Sequence, residues 1–400
     1  MSRQTFKKEK LRTWIEIDQK AIAHNYRVFR KLIQKNKGKT LFMAVVKSNA
    51  YGHNLLEFGS EAARLGADWL GVDSLTEALA LRDIGLRTPI LVLGHTLPSL
   101  FAKAREKGVS ITISSFAQLK EALALKSGKP LKVHIKVDTG MHRQGFQLHE
   151  LKQLLASLGH PMSKFVVEGL YTHFAEAKNP RHGDNTRQQI SEFKQWIKKF
   201  HDAGFTPIIH AAATGGALLY PEAHFDMVRI GIGCYGLWPS SKAEQFLAAA
   251  SGGSPDPALA GFRGKKIKLK PVLSWRAVVS EVKRVKKGER VGYDFTEQLV
   301  RDSTLAVIPV GYWHGLPRLV SSKGRVLIHG KSARIVGRVS MDMIVVDVTN
   351  ILKVKMGDVA TLIGRDGKEE IKAGEIARFA ETTQYEIVTR LNPLIKKFYK

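Results

Sequence analysis

One lysine stands at the end of a short apolar run near the N-terminus. Residues 41–46 form this run, and Lys47 follows it directly. A run of this length, bounded by polar and small residues, predicts a buried parallel strand. A lysine that is desolvated at the end of such a strand can form a Schiff base with a carbonyl group. It can equally extend its ammonium group into water, so Lys47 alone does not define a site.

Other side chains that could do chemistry occur at the ends of later apolar runs. Amines, imidazoles and guanidinium groups can bind anions or move protons. Several such groups at one place indicate a functional site more strongly than any one of them alone. If the runs are parallel strands of one barrel, these groups all face the same end of it. In chain order they are Tyr51, Lys136, Asp138, Arg143, His173, His210, Thr214 and Arg229.

The elements that must position these side chains alternate between strand and helix patterns from about residue 11 to residue 240. Stretches 18–34, 74–84 and 185–203 have the apolar spacing or capping signals of helices. Eight strands that alternate with helices predict an α/β fold with a (β/α)8 TIM-like barrel. An open doubly wound sheet is the alternative, although no G-x-G-x-x-G motif follows the first strand. The predicted strands are 41–46, 68–72, 89–93, 109–113, 131–137, 165–172, 207–211 and 227–235.

The composition changes after residue 240. Residues 241–266 contain an Ala-rich helical piece and then a Gly/Ser/Pro stretch, a pattern typical of a linker or surface insertion. Short Val/Ile runs separated by turn signals follow, and they predict a second, C-terminal mainly-β domain with one helix near 372–381. We therefore expect a barrel at 11–240, an insertion at 241–266 and a β-rich domain at 267–400. Roughly the first ten residues are expected to pack on the β-rich domain.

Composition and charge exclude several classes of protein. No run of about 18 apolar residues could cross a membrane, and the basic N-terminus lacks the apolar segment of a secretory signal. The one cysteine, Cys234, rules out an intrachain disulfide and fits the cytoplasm. The net charge of +27 could indicate nucleic-acid binding. The lysines and arginines are spread along the whole chain, however, so no nucleic-acid partner is expected, and no metal site is predicted.

Seven motifs extend in order over nearly the whole chain. They are AVVKSNAYGH, KVDTGM-x-R-x-GF, LYTHFA, MVRIGI-x-xYGL, VGYD, IPVGY and GRVSMDM. Together they resemble the alanine racemases, which are pyridoxal-phosphate enzymes of fold type III. The resemblance implies interconversion of L- and D-alanine with pyridoxal 5'-phosphate as cofactor, and a supply of D-alanine for the peptidoglycan of the cell wall. It also implies a cytoplasmic homodimer with shared active sites.

The resemblance assigns two bases for a two-base mechanism. Lys47 would hold the cofactor as a Schiff base and act on one face of the substrate Cα. Tyr293, supplied by the partner subunit, would act on the opposite face. A free phenol has a pKa of about 10, and a chain from Tyr293 through His173 to Arg229 would place cationic character nearby and lower it. Arg229 would face the pyridine nitrogen and, because a guanidinium stays charged, keep that nitrogen from being protonated.

The remaining residues that the resemblance implies bind cofactor or substrate. Arg143 would brace the phenolic oxygen of the cofactor and contact the substrate, and Lys136 matches the carbamylated lysine that orients this arginine in the family. Met341 and Asp342 match a substrate-binding loop from the partner subunit, with the Met341 amide directed at the substrate carboxylate. Tyr312 would form a wall of the pocket. The phosphate would be held by Tyr51, Thr214, Gly231 and Ile232.

Two positions on the substrate side depart from the family pattern. Ala213 stands where members commonly have an asparagine, and Asn392 aligns with a tyrosine that closes the pocket in many members. A smaller wall would admit larger side chains, so a broad-specificity racemase acting on Ser, Lys or Arg is the second interpretation. A fold type III decarboxylase would need a cysteine in the second domain, whereas Cys234 lies in the predicted barrel. Nucleic-acid binding depends on net charge alone.

Overall fold

The computed structural model describes residues 11–33, 40–126, 128–159, 164–251 and 267–400. These residues form two compact units. Of the described residues, those within 22–50 and 55–270 form the unit called here the barrel unit. Residues 11–21, 51–54 and 271–400 form the other, the sheet unit, and the first ten residues, expected to pack on the β-rich domain, lie outside the described chain. In the part of the chain that is described, no helix is long and apolar enough to cross a membrane.

A closed barrel of parallel strands forms the centre of the barrel unit. Eight strands of the described chain take part, and the first pairs with the eighth in the register Leu41–Met227, which closes the barrel. The strands are almost wholly buried, as expected for a parallel sheet covered on both faces. This confirms the predicted fold class. The strands are Leu41–Val45, Trp69–Val72, Ile90–Val92, Ser110–Ile113, Leu131–Lys136, Phe165–Tyr171, Ile208–Ala213 and Met227–Ile230.

The ends of the last two barrel strands differ from the prediction. The seventh strand continues to Ala213, so His210 lies inside it rather than at its end. The eighth strand ends at Ile230, and residues 232–235 form a single 3-10 turn instead of more strand. This turn closes on Gly236, whose φ of 73° is in the left-handed region that glycine adopts readily.

Helices separate the barrel strands along the chain. Ser74 caps the helix Leu75–Asp83, since its hydroxyl accepts the N–H of Glu77, as the capping-box pattern predicts. The Ala-rich start of the predicted insertion is the helix Ser241–Ser251, and residues 252–266 lie outside the described chain. The other helices are Gln19–Ile33, Leu55–Arg64, Phe101–Glu106, Phe116–Leu123, Leu151–Leu158, Gly183–Asp202 and Thr214–Leu219.

The sheet unit is mainly β, which confirms the second domain class that the sequence predicts. Its large sheet is mostly antiparallel. A two-stranded ribbon, Arg290–Val291 with Glu297–Gln298, stands apart from the large sheet. The strands of the large sheet are Thr13–Ile17, Leu273–Val278, Glu281–Val285, Ser303–Ile308, Arg325–Ile328, Lys331–Val336, Ile344–Asp347, Val359–Asp366, Glu369–Ile371 and Lys396–Tyr399.

Three features of the sheet unit were not predicted. Strand Thr13–Ile17 pairs with Leu273–Val278 and Lys396–Tyr399, although the sequence pattern counts residues from 11 onward as barrel. One of the Val-containing runs after residue 266, at 272–282, belongs to two strands that separate after Val278. A second helix, Gln384–Thr389, follows the predicted one at Ala373–Phe379. The boundaries 11–240, 241–266 and 267–400 therefore stay a proposal.

Candidate active site

Lys47 follows the first barrel strand and begins an unusual turn. Residues Ser48 to Tyr51 all have positive φ, between 51° and 55°, so the chain winds left-handed although no glycine is present. For residues with a Cβ this conformation costs roughly 1–2 kcal/mol each. Backbone strain of this kind concentrates at functional sites. The Lys47 Nζ lies 2.9 Å from Oδ1 of Asp73, which follows the second barrel strand.

Glu77 supports this left-handed turn from the neighbouring helix. Its Oε1 accepts the N–H of Asn49 at 3.0 Å, and its Oε2 accepts the N–H of Asp73 at 2.9 Å. The Asn49 side chain in turn accepts the N–H of Leu55 at 2.9 Å. One carboxylate therefore joins the ends of the first two barrel strands and fixes the backbone that follows Lys47.

Glu77→Ala is expected to lower the free energy of unfolding by about 1–3 kcal/mol, because two backbone donors lose a charged acceptor. Thermal unfolding measures this effect. Glu57→Ala is the matched control, because Glu57 is exposed on the preceding helix. Equal melting temperatures for the two variants would remove Glu77 from this role.

The guanidinium of Arg229 is buried inside the barrel, where it is 3 % exposed. Its Nη1 donates to His210 Nδ1 at 2.8 Å, and its Nη2 donates to the carbonyl oxygens of Thr172 and Ala211 at 2.8 and 2.7 Å. Nη2 also lies 3.2 Å from His173 Nδ1. Burial lowers the pKa of Arg229 to about 10, so it stays a cation near neutral pH. None of these contacts uses the Nε–H group of Arg229. This donor suits an acceptor such as a ring nitrogen.

His173 joins the Arg229 site as an uncharged imidazole. Burial, together with the positive charges of Arg229 and Arg143, lowers the pKa of His173 to about 3. The His173–Arg229 contact that the resemblance implies is present. Because His173 is neutral, the positive charge of this pair is located on Arg229 alone.

The residues expected to hold the phosphate come together after the seventh and eighth barrel strands. Thr214 begins a helix at the end of the seventh strand, and Gly231 and Ile232 follow the eighth. The Thr214 Oγ1 accepts the N–H groups of Gly231 and Gly233 at 3.2 and 3.3 Å. A hydroxyl has two lone pairs and one proton. With both lone pairs engaged, Thr214 keeps its O–H as a donor, which suits a phosphate oxygen.

Lys136 and Arg143 lie at the end of the fifth barrel strand and on the loop that follows it. Lys136 is buried and its Nζ donates to Oε1 of Gln144 at 3.0 Å. Burial and the positive charges of Arg143 and Arg229 lower the pKa of Lys136 to about 8. Arg143 is exposed. Asp138 braces this loop, because its Oδ1 accepts the N–H groups of Gly140, Met141 and His142 at 2.9–3.0 Å.

Tyr293 occupies an exposed and strained loop of the sheet unit. It is 67 % exposed, and the next residue but one, Phe295, is 64 % exposed. Asp294 and Phe295 have φ values of 59° and 50°, in the left-handed region that non-glycine residues rarely adopt. The Asp294 carboxylate lies 3.0 Å from Nη1 of Arg338 and holds the loop in place.

Tyr312, Met341 and Asp342 belong to two paired loops beside this one. The N–H of Tyr312 donates to the carbonyl oxygen of Ser340 at 3.0 Å. Gly311 permits this approach, since a Cβ there would lie 2.1 Å from the same oxygen and 2.4 Å from the Met341 carbonyl oxygen. Because Arg338 begins the segment that carries Ser340 and Met341, the loops of Tyr293, Tyr312 and Met341 adjoin within the sheet unit.

Asn392, in the C-terminal segment, is bonded to the backbone. Its side chain donates to the carbonyl oxygen of Trp313 at 3.0 Å and accepts the N–H of Leu394 at 2.9 Å. A different residue of the segment, Tyr385, is an aromatic neighbour of Tyr51, with ring centroids 6.3 Å apart. The segment therefore places a tyrosine next to a predicted site residue.

Several polar residues of the site were missed in the sequence. The Tyr171 ring stacks on His210 with centroids 4.7 Å apart, and it lies 5.2 Å from the Arg229 guanidinium. His134 and Glu168 lie deeper in the barrel, inside the fifth and sixth strands. A signal was available, because charged or imidazole side chains inside otherwise apolar strands are rarely buried without a partner.

Comparison with known proteins agrees with this geometry. Residues 17–239 match the family model of the alanine racemase N-terminal domain, and residues 272–399 match that of the C-terminal domain. The alanine racemase of Symbiobacterium thermophilum is 38 % identical over 394 residues, which are 97 % of each chain.

Solved structures show the same fold. The alanine racemase of Bacillus anthracis with bound L-Ala-P is 34 % identical, with a TM-score of 0.86 over 97 % of this chain and 95 % of that one. The histidine racemase of Leuconostoc mesenteroides is 32 % identical, with a TM-score of 0.83 over 98 % of each chain. The family models match both halves of the chain, and the relatives and solved structures match it over nearly its whole length. The chain therefore belongs to the alanine racemase family.

Proposed function

We propose that this protein is a pyridoxal-phosphate-dependent racemase that interconverts L-alanine and D-alanine, and that it supplies D-alanine for peptidoglycan in the cytoplasm. The observation that carries the proposal is the placement of Lys47, Thr214 and Arg229 at one end of one barrel. Membership of the alanine racemase family supports the choice of substrate.

The donor set fits pyridoxal phosphate. The Lys47 amine suits the aldehyde, the Thr214 hydroxyl with the backbone at Gly231 and Ile232 suits the phosphate, and Arg229 suits the ring nitrogen. Arg143 would lie against the phenolic oxygen, and Tyr51 would add a phosphate contact. When bound, the cofactor would supply an electron sink for the substrate Cα.

Arg229 tunes this site because it can only donate hydrogen bonds. A guanidinium carries no acceptor and keeps its charge, so it disfavours a proton on the ring nitrogen that it faces. The cofactor ring would therefore withdraw electrons from the substrate Cα less strongly than it would with a carboxylate at this position. We infer that the substrate Cα regains its proton promptly, which limits side reactions such as transamination.

Two bases on opposite faces perform the racemisation. A proton must leave one face of the substrate Cα and return on the other, so two positioned groups, one on each face, are an economical arrangement. Lys47 moves the proton on one face, and Tyr293 of the partner subunit moves it on the other. The exposed Tyr293 and Phe295 on their strained loop support a site that is completed by a second copy of the chain.

The substrate is held by residues of both copies. Arg143 of the barrel would bind near the substrate carboxylate, and the loop of Met341 and Asp342 would reach in from the partner. Met341 is 54 % exposed, and Tyr312, paired with this loop, is 44 % exposed. Such exposure in one copy is expected if the second copy covers these side chains.

Racemisation of alanine is tested directly with the loaded protein. The protein is incubated with pyridoxal phosphate and L-alanine, and D-alanine is measured with a D-amino-acid oxidase. We expect D-alanine to accumulate until the two enantiomers are equal, and the same end point from D-alanine. No D-alanine from cofactor-loaded protein would refute the proposed function.

A second candidate is a racemase for larger amino acids. The similarity to a histidine racemase and the Ala213 side chain at the end of the seventh barrel strand favour it. Membership of the alanine racemase family favours alanine instead. The decarboxylase interpretation loses support, since Cys234 is buried in the barrel unit, where burial raises its pKa.

Lys136 is expected to form a carbamate with dissolved carbon dioxide. Only a neutral amine reacts in this way, and with a pKa of about 8 roughly half of the Lys136 amines are neutral at pH 8. Nuclear magnetic resonance with 13C-bicarbonate should show a carbamate signal that Lys136→Gln abolishes. Exposed Lys103 provides the control, because Lys103→Gln should leave the signal intact. A wild-type spectrum without such a signal would contradict the assignment.

A further inference from the structure

We propose that Glu168, His134 and His210 form a relay of buried side chains that holds His210 in the tautomer that accepts from Arg229, and that the relay thereby positions the Arg229 guanidinium. The three residues are positioning residues that act through Arg229. The inference rests on the proposed function only in taking Arg229 as the group that faces the cofactor ring.

The relay runs across four neighbouring barrel strands. Arg229 Nη1 lies 2.8 Å from His210 Nδ1, and His210 Nε2 lies 2.9 Å from His134 Nδ1. His134 Nε2 lies 3.4 Å from Glu168 Oε2, close enough for an electrostatic contact but without the geometry of a hydrogen bond. The Glu168 oxygens accept hydrogen bonds from Ser110 Oγ at 2.5 Å and Lys132 Nζ at 2.6 Å. Both imidazoles are fully buried.

The polarity of every link follows from Arg229. A guanidinium only donates, so His210 must accept at Nδ1 and carry its proton on Nε2. His210 then donates to His134 Nδ1, which forces the His134 proton onto Nε2. That N–H faces Glu168, as a carboxylate requires. The opposite tautomers would set donor against donor at Arg229 and a lone pair against the carboxylate.

The charges of the residues agree with this pattern, because Arg229 and Glu168 at the two ends are charged and the two histidines between them are neutral. Burial would raise the pKa of Glu168, but its contacts with His134, Lys132 and Ser110 lower it to about 2, so it is a carboxylate at neutral pH. Burial lowers the pKa values of His134 and His210, so both rings are neutral. The relay thus links a buried cation to an anion through two neutral rings.

The backbone is shaped to admit the relay. A Cβ at Gly169 would lie 2.1 Å from His134 Nδ1, so glycine is required where this ring passes. The pairing of the fifth and sixth strands shifts register after Val133, which leaves Glu168 as an extra residue that the bulge can aim at His134. The Trp69 ring packs edge-on against His134 at 5.2 Å and holds the ring from the other side.

Arg229 needs such a link because its other described partners are neutral. Its contacts are the Thr172 and Ala211 carbonyl oxygens and the His173 and His210 imidazoles. A buried cation is costly without an anion. Glu168 supplies an anion at the far end of the relay, where it also pairs with Lys132 Nζ at 2.6 Å.

The test compares Glu168→Gln and His134→Leu with His224→Gln. His224 is also a buried barrel-unit histidine, bonded to the Ala217 carbonyl oxygen at 2.9 Å, but it takes no part in the relay. We expect both relay variants to shift the absorption band of bound cofactor and to lower kcat about 10–100-fold with little change in KM. His224→Gln should change the melting temperature alone. Relay variants that differ from wild type no more than His224→Gln does would overturn the proposal.

A measurement of tautomers separates this inference from the proposed function. Side-chain resonances of 15N-histidine-labelled full-length protein, assigned with the same variants, report the protonated nitrogen without any turnover. We expect a proton on Nε2 of both His134 and His210 in the wild type. A proton on Nδ1 of His210, or a charged imidazole at either position, would overturn the relay even in an active racemase. The expected tautomers in a protein that does not racemise alanine would uphold the relay and refute the proposed function.

Discussion

Lys47→Ala is expected to abolish covalent binding of pyridoxal phosphate and to lower alanine racemisation by more than about 10⁴-fold. One substitution removes both the covalent anchor and one of the two bases, and positioned acid–base groups alone contribute about 10²–10⁴-fold. Borohydride reduction followed by mass spectrometry of the peptides should place the reduced adduct on Lys47 in the wild type. The variant should show no adduct.

Two further variants sharpen this prediction. Asp73→Asn removes the ion pair 2.9 Å from the Lys47 Nζ but leaves the amine, so it should retain the adduct. Exposed Lys103→Ala should behave as wild type in both assays. A reduced adduct on another lysine of the wild type, or on Lys47→Ala, would show that the anchor is assigned to the wrong residue.

Tyr293→Phe is expected to lower kcat by about 10²–10⁴-fold while cofactor binding stays intact. The variant keeps Lys47, so it should still exchange the α-hydrogen of one enantiomer with deuterium from solvent without inverting it. Mass spectrometry of each enantiomer after incubation in D2O measures this directly. Phe295→Leu, on the same exposed loop, tests whether disturbance of the loop is sufficient to cause the loss. Racemisation by Tyr293→Phe at the wild-type rate would remove the phenol from the mechanism.

The proposal that two copies share each site makes a further prediction from the same two variants. A mixed dimer of Lys47→Ala and Tyr293→Phe protomers has one site with wild-type Lys47 from one copy and wild-type Tyr293 from the other. Two inactive variants should therefore regain activity when they are expressed together. If both bases of a site came from one copy, co-expression would restore nothing.

The sequence predicts the barrel and the site residues at its end because the signals for these are local. Most barrel strands are largely apolar runs. Lys136 is the last residue of one of them, and Lys47 and Thr214 follow two others within two residues. Parallel strands in a closed barrel then bring these residues to one end without any further information. The motifs that resemble those of the alanine racemases predict the site residues on the loops of the second domain.

What the sequence did not predict depends on distant parts of the chain or on backbone geometry. Strand Thr13–Ile17 pairs with strands that lie hundreds of residues away. The left-handed turn at residues 48–51 contains no glycine that would mark it, and Glu77, which supports it, shows only a capping pattern. Glu168 faces His134 through a register shift that no periodicity reveals. Strain and buried polar contacts therefore had to be found in the structure.

The central claim is tested most directly by kcat/KM for a panel of L-amino acids with the cofactor-loaded protein. The panel comprises alanine, serine, lysine, arginine and histidine, each assayed for formation of the D-enantiomer under the same conditions. We predict the highest kcat/KM for alanine, with serine next and the larger side chains far behind. A higher kcat/KM for lysine, arginine or histidine than for alanine would contradict the assignment of this protein as an alanine racemase.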